Sequence, residues 1–121
     1  MGDLTKNFSH KEFSCRCKNC QFGKGYQIDV MLVKKLQQIR NAYGKIMPIN
    51  SGIRCYEWNM HEGGMPNSYH LPAQGCLAAD IGITDRKGRL EIVRLAISLG
   101  LSIGCYSWGI HLDNRPSQVI F

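Results

Sequence analysis

Two histidine-bearing segments stand far apart in the chain, and the first leads to an aspartate at the mouth of an apolar run. Together they place the strongest demand on the fold. The first reads SYHLPAQGCLAADI, from Ser68 through His70 to Asp80 and Ile81; the second is His111-Leu112-Asp113. Two imidazoles and one carboxylate are a minimal catalytic zinc set, because three protein ligands leave the fourth tetrahedral position open to water. A structural zinc site closes with four ligands, often cysteines. A fold that uses all three side chains must bring His70, Asp80 and His111 to one point. The competing reading makes His70 a hydrogen-bonded core histidine and His111 a surface one, and these residues alone leave both open.

The chain has 121 residues, which suits one domain over residues 1–121 with one modest core. Hydrophobic residues make up 44% and charged residues 20%, the balance of a folded protein and not of a disordered one. A net charge of +6 favours anionic partners such as a polyanionic cell wall. The basic residues are scattered, so no nucleic-acid partner is expected. No apolar run approaches the length of a membrane span. The opening MGDLTKNFSH lacks the apolar core of a secretory signal, so the expectation is synthesis in the cytoplasm without a signal peptide.

Six cysteines are many for this length. Cys15, Cys17 and Cys20 form C-x-C-x2-C, while Cys55, Cys76 and Cys105 stand alone. A Cys-x2-Cys pair can chelate zinc, but a zinc ribbon uses a second such pair and the chain has none. Six cysteines allow fifteen full pairings, among which spacing does not choose. The cluster is read as local and structural, whether as thiols, one disulfide or a small metal knot. No activating base next to a cysteine marks a catalytic thiol.

Along the chain, Ser9 and Glu12 fit a capping box that opens a short helical turn and sets Phe8 and Phe13 toward the core. Asp29 can cap a helix over 30–43, where Leu32, Leu36, Ile39 and Tyr43 make one apolar stripe and Gly44 a stop. Residues 46–50 read as a short strand near a sheet edge, because Pro48 has no N–H to donate. Residues 57–67, with Asn59, Gly63, Gly64 and Pro66, read as loop. Residues 78–83 read as a strand carrying Asp80. A second helix is expected over 88–99, capped by Thr84 or Asp85, with Leu90, Val93 and Ile97 as its inner stripe and Gly100 as its end. Two last strands are expected over 102–106 and 109–113.

Ordered fragments across the chain carry a resemblance. They are Asn7-Phe8-Ser9 with Glu12-Phe13, Ile49-Asn50-Ser51-Gly52-Ile53-Arg54, Asn59, Gly63-Gly64, Ser68-Tyr69-His70, Ala78-Ala79-Asp80-Ile81, Ile103-Gly104-Cys105-Tyr106, and Ile110-His111-Leu112-Asp113-Asn114-Arg115. In this order the chain resembles the zinc D-Ala-D-Ala carboxypeptidase and LAS metallopeptidase family, above all its small phage and bacterial murein-peptidase branch. The resemblance implies an α+β fold of the hedgehog/DD-peptidase kind: a small antiparallel sheet carrying the zinc site, with helices packed on one side. It implies Zn2+ as cofactor, held by His70, Asp80 and His111. It implies an endolysin-like enzyme, a carboxypeptidase or endopeptidase that hydrolyses peptidoglycan stem peptides or cross-links. Such a protein is expected to be a monomer and to act at the bacterial cell wall after release.

Two departures from the family pattern matter. Nine residues separate His70 from Asp80, more than in the family, so the stretch around Pro72-Ala73-Gln74 is read as an insertion beside the site. Its alternative consequence is Cys76 as an added ligand. Many relatives also carry an acidic residue or a histidine as base three residues before the last histidine, where this chain has Trp108. Asp113 lies two residues from His111, and residues two apart in a strand share a face. It is therefore the candidate base, or else the group that orients His111. By resemblance Arg54 meets polar or anionic substrate groups, with a structural ion pair as its alternative. Ser68 is a candidate substrate contact, with a turn serine as its alternative. The other function class left open is a non-catalytic, zinc-containing cell-wall-binding module on the same fold.

Overall fold

In the computed structural model, which describes residues 2–17 and 19–121, each helix starts where a side-chain acceptor meets its free N–H groups. Helix α1 is Val30–Tyr43, and the Asp29 carboxylate accepts from the Leu32 N–H at 2.9 Å. Helix α3 is Arg86–Ser98, and Asp85, not Thr84, caps it by accepting from the Gly88 N–H at 2.8 Å. The turn His10–Phe13 is a 3-10 turn, with Glu12 accepting from the Ser9 N–H at 2.7 Å.

Four strands form one antiparallel sheet: β1 (Ile49–Ser51), β2 (Ala78–Ile81), β3 (Ser102–Tyr106) and β4 (Gly109–Asp113), in the order β1-β2-β4-β3. Pro48 thus precedes an edge strand. The two-residue period of a strand splits the sheet into two faces. Ala79, Ile81, Ile103, Ile110 and Leu112 join the hydrophobic core with Leu32, Leu36 and Ile39 of α1 and Ile92 of α3. Burying each large aliphatic side chain contributes roughly 1.5–3 kcal/mol. The alternate residues Asp80, His111 and Asp113 belong to the opposite face. This is the expected α+β arrangement, a four-stranded sheet with α1 and α3 packed on one side.

Two expectations need correction. The inner face of α3 is Gly88, Ile92 and Ala96, whereas Leu90 and Ile97 are 51% and 43% exposed. Val93 is half-buried against the core. Small residues decide this face: a Cβ at Gly88 would stand 2.9 Å from the Tyr43 hydroxyl, so glycine lets α3 approach α1. Small residues of this kind do not register as an apolar stripe. Secondly, the expected loop over 57–67 opens with a short helix, α2 (Tyr56–His61). The Cys55 sulfur accepts from the Trp58 N–H at 3.4 Å at its start. Buried Asn59 anchors the helix by donating to the Met65 carbonyl at 2.8 Å.

Candidate metal centre

The β2–β4 register places Asp80 directly opposite His111. Cross-strand partners keep their side chains about 5 Å apart on one face, so the register alone brings two of the three candidate ligands together. His70 arrives from the segment before the 3-10 turn Pro72–Gln74, which takes up the extra residues. Asp80 Oδ1 lies 3.2 Å from His70 Nε2 and 3.1 Å from His111 Nδ1. All three residues are buried, and their three facing atoms lie within 4.8 Å of one another, close enough to share one ion.

The outward atoms of the three residues are also engaged. His70 Nδ1 is 2.6 Å from the Gly52 carbonyl, which fixes the proton there and leaves Nε2 as the lone-pair donor. His111 Nε2 is 2.7 Å from Asp113 Oδ2, which fixes the opposite tautomer in the second ring. Asp80 Oδ2 accepts from Arg54 Nη2 at 2.9 Å. Each ring, and the carboxylate, therefore aims one atom at a common point and ties the other to the scaffold, the usual arrangement around a metal.

The electrostatics point the same way. Burial works to raise the pKa of Asp80, but the facing rings of His111 and His70 outweigh it and hold the carboxyl below its ordinary range. Burial likewise opposes the charged form of His111, yet Asp113 and Asp80 on either side of the ring push its pKa up. A pair of carboxylates flanking one imidazole favours positive charge at this spot, and a cation between His70 Nε2, Asp80 Oδ1 and His111 Nδ1 meets that preference. One carboxylate and two neutral imidazoles leave a divalent ion with net positive charge. The donor set of two nitrogens and one oxygen suits zinc and leaves a tetrahedral position open.

Arg54 and Ser68 take their places differently. The Arg54 guanidinium meets Ser51 Oγ at 3.1 Å and Asn59 Oδ1 at 3.4 Å besides Asp80, so three of its five N–H groups serve the scaffold of the site. Ser68 accepts from the His70 N–H at 3.2 Å, and its carbonyl accepts from Leu71 N–H at 3.1 Å; both bonds fix the turn that delivers His70. Cys76 is not part of the site. Its side chain packs in the hydrophobic core, and burial, with the charge of Asp29 added, pushes its thiol up to about 11.

The site opens into a cleft of about 760 Å3. Arg54, Glu62, Tyr69, Arg115 and Phe121 line it, and the rings of Tyr106 and Trp108 stack along it 5.0 Å apart. Arg115 grips Asp113 through Nε at 2.8 Å and Nη2 at 2.6 Å, and lies over the Tyr69 ring at 4.5 Å. Phe121 closes this corner: its N–H donates to the Ile103 carbonyl at 2.8 Å, and its ring lies 5.3 Å from that of His111. Gly104, opposite His111 in the β3–β4 register, makes room, since a Cβ there would stand 2.5 Å from the Phe121 ring. The roles of Arg115 and Phe121 were not legible in the sequence. Arg115 closed the last fragment of the family resemblance, but nothing in the sequence tied it to Asp113 or to the cleft.

A fold with its two long helices on one face of an antiparallel sheet, and a buried His/Asp/His set on the other beneath an open cleft, defines the class of small metallopeptidases. The comparison with known families agrees: a family profile described as Peptidase M15 matches residues 6–113. The chain belongs to the peptidase M15 family, whose members are zinc-dependent. No curated protein matches the chain in a direct search.

Proposed function

We propose that this chain is a zinc-dependent peptidase of peptidoglycan, cutting stem peptides or their cross-links. The observation that carries the reading is the convergence of His70 Nε2, Asp80 Oδ1 and His111 Nδ1 on the floor of a cleft flanked by guanidinium groups. A zinc ion held there supplies a Lewis acid for water activation and carbonyl polarisation. The chain's own residues do the rest. Asp113 and the Gly52 carbonyl hold the two imidazoles in their ligating tautomers, and Arg54 holds Asp80. Peptidoglycan stem peptides carry free carboxylates, and Arg54 and Arg115 in the cleft, with a net charge of +6, suit an anionic substrate. The site of action is then the bacterial cell wall, reached by a monomer released from the cell that made it.

Proton transfer falls to Glu62. Trp108, three residues before His111, has no proton to exchange in this range. Asp113 is fully buried, and both of its carboxylate oxygens are already engaged by Arg115 and His111, so it is placed to orient His111 and not to meet a substrate proton. Glu62 lines the cleft with its carboxylate partly open to solvent. Digestion of purified murein fragments with and without a chelator, followed by mass spectrometry, tests the reading. Metal-dependent release of D-Ala or of a shorter stem peptide is the expected result, and the masses identify the bond.

Trp108 favours a second reading, a zinc-containing wall-binding module without turnover. Its aromatic stack with Tyr106 is a ready platform for a ligand. Retention on insoluble peptidoglycan with no change in fragment masses selects this reading.

A further inference from the structure

Outside the cleft, four sulfurs converge. Cys15, Cys17 and Cys20 come from the loop after the turn His10–Phe13, and Cys55 comes from the start of α2, next to Arg54. Their sulfurs all lie within 4.8 Å of one another, and Cys55 Sγ is 3.7 Å from Cys17 Sγ. None of the four is in a disulfide. Thiolates bound to zinc at about 2.3 Å stand roughly 3.8 Å apart along a tetrahedral edge. The observed 3.7 Å is therefore the spacing of two ligands on a common ion. The fourth ligand that the C-x-C-x2-C cluster lacked is a lone cysteine, supplied from another part of the chain by the fold.

The surroundings fit bound thiolates. Backbone N–H groups donate to three of the sulfurs at 3.4 Å: Cys55 N–H to Cys15, Asn19 N–H to Cys17 and Trp58 N–H to Cys55. Donors so placed offset the negative charge that four thiolates leave on a divalent ion. The loop is also braced from outside, with Arg16 Nη2 donating to the Ile49 carbonyl at 3.2 Å and the Ile53 N–H donating to the Phe13 carbonyl at 2.9 Å.

We propose that Cys15, Cys17, Cys20 and Cys55 hold a zinc ion of their own, in a closed four-thiolate site separate from the one in the cleft. Binding exchanges the thiol protons for one Zn2+ and involves no change of oxidation state. Four protein ligands leave no open position, so the ion is structural. Its place in the fold is to pin the N-terminal loop to the residue that follows Arg54, and so to the scaffold of the cleft.

The test is metal content by mass spectrometry on the full chain, purified under reducing conditions with zinc supplied. The wild type should carry two zinc ions, and a His70→Ala/His111→Ala variant should keep one. That variant leaves every cysteine intact, so it tests the proposal even if cysteine variants fail to fold, and it stands apart from any failure of the cleft reading. Replacing its zinc with Co2+ should give the strong near-ultraviolet absorption of thiolate-to-cobalt charge transfer, and adding Cys17→Ser/Cys55→Ser should abolish it. A His70→Ala/His111→Ala protein that holds no metal overturns the proposal. So does iron in place of zinc, or a native mass reduced by the hydrogens lost to disulfides.

Discussion

Asp113 accepts a 2.7 Å hydrogen bond from Nε2 of His111, on the side of the ring away from Asp80. A group placed there orients a ligand and raises its basicity. Asp113→Asn is therefore expected to weaken zinc binding in the cleft by roughly ten- to a hundredfold. Turnover should return to near wild-type once zinc is saturating. Zinc titration of the variant against hydrolysis of a murein peptide checks this. A hundredfold loss of turnover at saturating zinc would make Asp113 the base instead.

The ion pair of Arg54 with Asp80 gives a stability prediction. The two side chains are 14% and 5% exposed, so solvent screens the pair little. Removing one partner of such a pair costs roughly 3–5 kcal/mol, because the other charge stays buried. Arg54→Met should cost the metal-free protein about that much. The cost should shrink when zinc is added, since the cation then compensates Asp80. Urea unfolding with and without a chelator measures both. An equal loss in the two conditions would show that Arg54 does not act through Asp80.

Two cysteines outside the four-sulfur cluster should differ sharply in reactivity. Cys105 is exposed, whereas Cys76 is buried in the core and its thiol is pushed up to about 11. The thiolate is the nucleophile. Under native conditions at mildly alkaline pH, iodoacetamide should label Cys105 readily and Cys76 only after unfolding. Peptide mass spectrometry of the labelled protein decides. Comparable native labelling of both would mean that the core around Cys76 opens easily.

What could be read from the sequence was whatever repeats within one element. The stripe Leu32, Leu36, Ile39, Tyr43 marked α1 because each residue faces the same core. The strand-like runs around Asp80 and His111 showed two histidines and a carboxylate on separate segments, and sheet register then brought them to one point. What escaped depends on contacts between elements. The α3 face turns on Gly88 fitting against Tyr43, which no hydropathy pattern records. Helix α2 hides among turn-forming residues because its hold is the Asn59 side chain on the Met65 carbonyl. Cys55 carried no local sign of its partners, and the work of Arg54 within the scaffold is visible only once Asp80 is beside it.

Glu62 is the sharpest test of catalysis. In the proposed peptidase some carboxylate must take a proton from the attacking water. Trp108 cannot titrate, and Asp113 is held by Arg115 and His111. Glu62, in the loop after α2, lines the cleft and has a carboxylate oxygen 3.4 Å from His61 Nδ1 at the surface. Exposed ion pairs of this kind are worth little, about 0–1 kcal/mol, so that contact does not lock the side chain away from the cleft. Glu62→Gln keeps the shape and removes the basicity. Turnover should fall by roughly a hundredfold or more, the usual contribution of a positioned base. Zinc content and melting temperature should stay near wild-type, because the ion-pair partner of Glu62 is His61 and not a candidate ligand. Unchanged turnover would remove Glu62 from the reaction. Together with an inactive wild type that still binds peptidoglycan, that outcome would favour the binding module, with the Tyr106–Trp108 stack as its contact surface.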